Sequence, residues 1–118
     1  MITMKSNINL TQKDYSVINL VDSNNKDFVT TMVKLFIDIS REFISEVNLA
    51  IIEDNLLQIN QSAHRIKASI DVMVISSLSK VIREIENSTI INDELKEKIN
   101  FTTEKLEIIT KQMENDFA

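Results

Sequence analysis

His64 is the one histidine in a chain of 118 residues, and it stands in the run Ser62-Ala63-His64-Arg65-Ile66-Lys67-Ala68-Ser69. Imidazole has an ordinary pKa of ~6.5, so near neutral pH it is largely uncharged and nucleophilic. Lys67 follows three residues later, a spacing that puts both side chains on one face of a helix. A nucleophile with a cation beside it suits the transfer of a phosphoryl group, whose charge the cation offsets while the reacting atoms align. Other chemistries fit less well. A metal site would need further His, Cys or converging carboxylates, and Asp71, two turns beyond His64, is a poor start. Ser62 and Ser69 fall on the opposite side of the helix, so no serine-histidine pair forms within the run. Met4, Met32, Met73 and Met113 read as gap fillers, and the acids near Asp93, Glu94 and Glu104 as helix-terminal or solvated charges rather than calcium ligands. No metal site and no cofactor of its own is expected.

The elements that would carry these residues follow from apolar spacing and caps. Thr11-Gln12-Lys13-Asp14 is similar to a capping box and opens a short lead-in helix bearing Tyr15, Ile18 and Val21, expected to act as a lid. After the polar break Asp22-Ser23-Asn24-Asn25, the series Phe28, Met32, Leu35, Ile39, Phe43, Val47 and Ala50 steps by three and four, as a long amphipathic helix does. Glu53-Asp54-Asn55 turns the chain, with Asn55 as N-cap of a helix whose core stripe is Leu56, Ile59, Ala63, Ile66, Ile70 and Met73. Ser76-Ser77 begins a helix bearing Leu78, Val81, Ile82 and Ile85. Asn92-Asp93-Glu94 places acids in the first turn of a last helix bearing Leu95, Ile99, Leu106, Ile109 and Met113. Short connections make neighbouring helices antiparallel.

At ~100° per residue, the core stripe of the His64 helix centres about 120° away from the imidazole. Leu57, Gln61, Lys67, Ala68 and Asp71 lie within about 60° of it. His64 is therefore expected at the surface, flanked by Gln61 and Lys67, with the small Ala68 one turn beyond.

Composition agrees with this plan. The chain has no Gly, Pro or Cys, and 43% of it is hydrophobic. Without Gly or Pro the tight turns of β-hairpins are hard to build, whereas one all-α domain, an antiparallel four-helix bundle with the short lead-in, is readily encoded. Residues 1–118 are read as a single domain, with 1–10 and the last few residues flexible. A net charge of -5 with dispersed Lys and Arg argues against nucleic-acid partners. The first residues lack an apolar leader run, and no apolar stretch approaches the ~18 residues of a membrane span, so a cytoplasmic protein without membrane partners is expected.

The pattern Ala63-His64-Arg65-Ile66-Lys67-Ala68-Ser69 resembles the A-H-x-L-K-G-S signature of histidine-containing phosphotransfer (HPt) domains of two-component phosphorelays. The layout is similar too, with a lead-in helix, a long helix, a polar turn about ten residues before the histidine, and an apolar helix ending in Ile85-Glu86. The resemblance covers nearly the whole chain. It implies a bundle that relays phosphoryl groups between receiver-domain aspartates, with His64 as acceptor and donor and Lys67 stabilising phosphoryl charge. Response-regulator receivers or a hybrid sensor kinase would be the partners, docking over Gln61, Arg65 and Ala68 and over Ile18 and Val21 of the lead-in. Mg²⁺ would belong to the receiver. No nucleotide-binding motif is present, so self-phosphorylation from ATP is not expected.

Three positions depart from the pattern. Ala68 replaces a usual Gly and adds one methyl group beside the nucleophile. Val74 stands near a second usual Gly, so the helix is expected to continue or to turn into Ser76 without a left-handed residue. Glu86 stands where some members carry a Gln that orients the imidazole, and a carboxylate there could accept the ring proton and hold one tautomer. A helical adaptor, or a degenerate phosphotransfer domain that binds partners without carrying phosphate, are the other readings. The absence of a leftover heptad seam favours a monomer.

Overall fold

Apolar residues recurring every three or four positions dictate helices, and the polar breaks between them dictate where the helices stop. The computed structural model describes residues 26–117. These form α1 (Lys26–Ile52), α2 (Leu56–Val72), α3 (Ser76–Glu86) and α4 (Asp93–Phe117). Each helix packs on its sequence neighbours, and α1 also packs on α4, which closes the ring. The fold is an all-α four-helix bundle. The proposed lead-in, with Tyr15, Ile18 and Val21, lies outside the described residues.

The core agrees with the sequence stripes over α2, α3 and α4. Ile59, Ala63, Ile66, Ile70, Met73, Leu78, Ile82, Ile85, Leu95, Ile99, Leu106, Ile109 and Met113 are all buried, while Leu56 and Val81 pack at its edge. Burying an aliphatic side chain of this size contributes ~1.5–3 kcal/mol, so these residues supply the main favourable term.

In α1 the stripe is displaced from the expected one. The buried series is Val29, Val33, Phe36, Ser40, Phe43, Val47 and Ala50, with Ile37 beside it. Phe28 and Leu35, expected in the core, are 44% and 51% exposed, and Met32 and Ile39 are only partly buried. The first half of α1 is apolar over a wide arc and holds two candidate stripes. The one that continues without a break into Phe43 runs through Ser40, a polar residue, which hides it from a reading of apolar spacing alone. The Ser40 side chain is fully buried and its hydroxyl has no hydrogen-bond partner. Leaving such a group unpaired costs about 1–3 kcal/mol. Ser40→Ala is accordingly expected to stabilise the bundle by about 1 kcal/mol in chemical denaturation. A loss of stability would mean the hydroxyl is doing something useful in the core.

The two tight turns are built the same way. At the end of α1, Asp54 N–H donates to Ile51 O (3.2 Å) and Asn55 N–H to Ala50 O (2.8 Å). At the end of α2, Val74 N–H donates to Asp71 O (3.1 Å) and Ile75 N–H to Ile70 O (3.1 Å). This paired pattern is the Schellman motif, which needs a left-handed residue just past the helix. Asp54 (φ 56°) and Val74 (φ 54°) fill that place. Val74 therefore contradicts the expectation that α2 would end without a left-handed residue. The motif wins because it closes two end carbonyls and brings Ile75 into the core beside Ile70. Asn55 then caps α2 as expected, its Oδ1 accepting from Gln58 N at 3.1 Å. Asn92 does the same for α4 through Leu95 N at 2.9 Å.

Candidate functional site

His64 lies midway along α2, and the antiparallel turn at 73–75 brings α3 back beside it. The polar pairs along this seam fix the register. Asn60 Nδ2 donates to Ile85 O (3.0 Å) and Ser88 O (3.2 Å), Lys67 Nζ donates to Glu86 Oε1 (2.8 Å), and Arg83 Nη2 donates to Asp71 Oδ2 (2.7 Å). Moving along α2 from Asn60 to Asp71 thus runs back from Ser88, just past the end of α3, to Arg83 within it. Glu86, the last residue of α3, is set opposite His64 and Lys67.

Its two oxygens are divided between them. Oε2 lies 2.5 Å from His64 Nδ1, and Oε1 holds the Lys67 ammonium. An ionised carboxylate only accepts hydrogen bonds, so Nδ1 carries a proton, and in the neutral ring the lone pair is then on Nε2. The His64 side chain is 70% exposed, whereas that of Glu86 is only 18% exposed. Nε2 has no partner among the described residues. The result is a nucleophilic nitrogen turned outward on a ring whose other nitrogen is anchored.

Hydrogen bonds from Lys67 first, and from His64 second, hold the Glu86 carboxyl below the usual carboxylate range. A depressed carboxyl binds fewer protons folded than unfolded, so it adds stability that is fully present above the ordinary value, ~4.3. That stability is lost as pH falls through the depressed value of the folded state. The triad is therefore intact at neutral pH, with the carboxylate charged.

The residues around it divide clearly. Gln61 is exposed and, with Asn60, Arg65, Glu86 and Asn87, borders an open depression around the imidazole. Ala68 is exposed one turn above His64. Arg65, expected on the docking surface, turns its guanidinium to α1, where Nη1 contacts Glu46 (3.0 and 3.1 Å) and Glu42 (3.2 Å). The Glu46 bond also raises the basicity of Arg65, and Ser62 Oγ donates to the same Glu46 at 2.7 Å. Arg65 thus ties α2 to α1 while remaining half exposed. Ile18 and Val21 lie outside the described residues.

Asn60 was missed in the sequence. It stands one turn before His64 on the same face and clamps the end of α3, which fixes where Glu86 begins its reach. The signal was an asparagine inside a helix, a residue that favours bonding to other backbone groups.

Beyond Ala68, the unburied stripe of α1 borders a shallow apolar groove lined by Met32, Leu35, Ile39, Ala68 and Val72. No three described His, Asp or Glu side chains converge as a metal site, and both Glu86 oxygens are already engaged. No described helix is long and apolar enough to cross a membrane. Fold and site together define a helical bundle presenting a histidine held by a carboxylate and flanked by a lysine. No family model, curated protein or solved structure matches the chain.

Proposed function

We propose that this protein is an HPt-like phosphorelay carrier that takes a phosphoryl group from a receiver-domain aspartate onto Nε2 of His64 and passes it to another receiver. The observation that carries this reading is the His64 ring itself, exposed, with Nδ1 bonded to Glu86 and Nε2 unpartnered among the described residues. Transfer of a phosphoryl group requires an in-line approach of the attacking atom and stabilisation of spread charge, and little else from the carrier. Lys67, with one of its three N–H donors on Glu86, has two left for phosphoryl oxygens. The exposed Ala68 leaves space for a partner to approach the ring. Gln61 borders the same depression, and Arg65 offers its remaining donors at the rim.

Mg²⁺ in this scheme belongs to the receiver's acidic pocket. The partners are response-regulator receivers or a hybrid sensor kinase, the compartment is the cytoplasm, and the carrier acts as a monomer without nucleic-acid or membrane contacts. Its donor is a phosphorylated protein rather than ATP.

The test is transfer of label from a panel of phosphorylated receivers to the purified protein, followed by a second receiver. Acid-labile, base-stable label that moves onward supports the carrier. A receiver that binds without transferring label supports the degenerate domain, and a panel that neither binds nor transfers supports the helical adaptor. Lys67→Ala is expected to slow transfer about tenfold, less than the ~100-fold or more typical of a buried transition-state donor, because water screens this partly exposed site. An unchanged rate would remove Lys67 from the mechanism.

A further inference from the structure

Glu86 is a carboxylate, and one of its oxygens contacts the ring nitrogen that does not react. The consequence concerns the phosphorylated state and therefore rests on His64 being the acceptor. The Nε2 lone pair attacks phosphorus of an aspartyl phosphate, the bond from phosphorus to the acyl oxygen breaks, and its electron pair stays on the donor's carboxylate. The Nδ1 proton does not move. The product ring is a phosphoimidazolium with one positive charge next to Glu86. In the onward step an acceptor carboxylate oxygen attacks phosphorus, the N–P bond breaks, and the electron pair returns to Nε2, releasing neutral imidazole. If the Nδ1 proton were lost between the two steps, the leaving group would be an imidazolide anion, which is far poorer.

We infer that Glu86 sets the donor competence of phosphorylated His64, its charge holding the Nδ1 proton so that the phosphoryl group leaves from a cationic ring. Glu86 acts through the ring and is a positioning residue rather than a catalytic one. The charged groups facing the ring fit this role. Lys67 on α2 would oppose a cationic ring, but it shares the same carboxylate. Arg65 is turned to Glu42 and Glu46 of α1, and Arg83 of α3 is paired with Asp71. Glu86 is the one anion bonded to the ring among the described residues. A glutamine here could accept the same Nδ1–H bond through its carbonyl oxygen. It would keep the tautomer and the geometry but bring no charge.

The experiment uses phosphoramidate, a small phosphoryl donor that needs no receiver, to label the wild type, Glu86→Gln and Lys67→Met. The rate of phosphoryl loss is then followed against pH, with ¹⁵N spectra of the unlabelled proteins to report the tautomer. Loss is fast when the ring is protonated, so the midpoint of the profile reports how firmly Nδ1 keeps its proton. Glu86→Gln is expected to keep the Nδ1–H tautomer and to move the midpoint about one pH unit toward acid, making the label about tenfold longer-lived on the alkaline side. Lys67→Met, which removes the competing cation, is expected to move it the other way. Coincident profiles for wild type and Glu86→Gln, or a shift of Glu86→Gln toward base, would overturn the inference. If the labelled wild type exchanges phosphoryl with no receiver, the relay reading fails while the role of Glu86 is still decided by the profiles. A wild-type ring that takes no label from phosphoramidate overturns both.

Discussion

His64→Gln is expected to abolish acid-labile label completely while leaving the bundle as stable as the wild type. The two halves of this expectation have separate causes. The glutamine side chain has no nitrogen lone pair available for attack on phosphorus, because its amide nitrogen is delocalised into the carbonyl. The fold does not depend on the imidazole, which is 70% exposed and outside the core. A glutamine amide can still donate to Glu86, so the carboxylate is not left unpaired, and surface changes of this kind fall within about 0.5 kcal/mol. Receiver binding should persist, since Gln61, Lys67 and Ala68 are untouched. Thermal unfolding and a binding titration, run beside the labelling assay, check each half. Residual label on the variant would move the acceptor to another residue. Lost binding with intact folding would give the ring a docking role instead.

Replacing both left-handed residues by glycine is expected to stabilise the protein by about 1 kcal/mol, raising its melting temperature by roughly 4 °C. Val74 at φ 54° is a β-branched side chain in a region where Cβ crowds the following carbonyl, costing about 1–2 kcal/mol. Asp54 at φ 56° costs less, because aspartate tolerates this region better than most residues. Glycine removes both penalties but adds ~0.4–1 kcal/mol of unfolded-state entropy at each site. The Val74 side chain is 50% exposed, so little packing is lost with it. The turns lie at opposite ends of α2, and their effects should add. Thermal denaturation of the single and double variants measures this. A destabilised Val74→Gly would show that the valine contributes more through its contacts than the backbone loses through strain.

The sequence made the His64 face legible but not the contact that anchors the ring. His64, Lys67, Ala68 and Gln61 fall on one side of α2 by periodicity alone, and the buried Ile59, Ala63, Ile66 and Ile70 on the other, because position around a helix depends only on spacing. Glu86 is different. Its contact with His64 spans 22 residues and depends on the register of α2 against α3, which Asn60 and the Arg83–Asp71 pair fix in space. Spacing alone carries no such information, and the role of Glu86 came from resemblance. Arg65 was assigned to the docking surface, and spacing alone could not show that its guanidinium also pairs with Glu46, a residue on another helix.

The two errors share a cause. In α1 a polar Ser40 occupies a core position, so apolar spacing pointed to Ile39 and Leu35 instead. At the end of α2 a valine occupies a glycine's conformation, so residue type pointed to a continuing helix. In both places tertiary packing overrides the local preference of one residue. Met32, Leu35 and Ile39 of the displaced α1 stripe border the groove beside Ala68.

The most direct measurement of the central claim is a ³¹P–¹⁵N correlation spectrum of the protein after incubation with a phosphorylated receiver that binds it. The account predicts a single phosphoryl group coupled to Nε2 of His64, with Nδ1 still protonated. Phosphorus coupled to Nδ1 or found on another residue would contradict it, as would a receiver that binds firmly and transfers nothing.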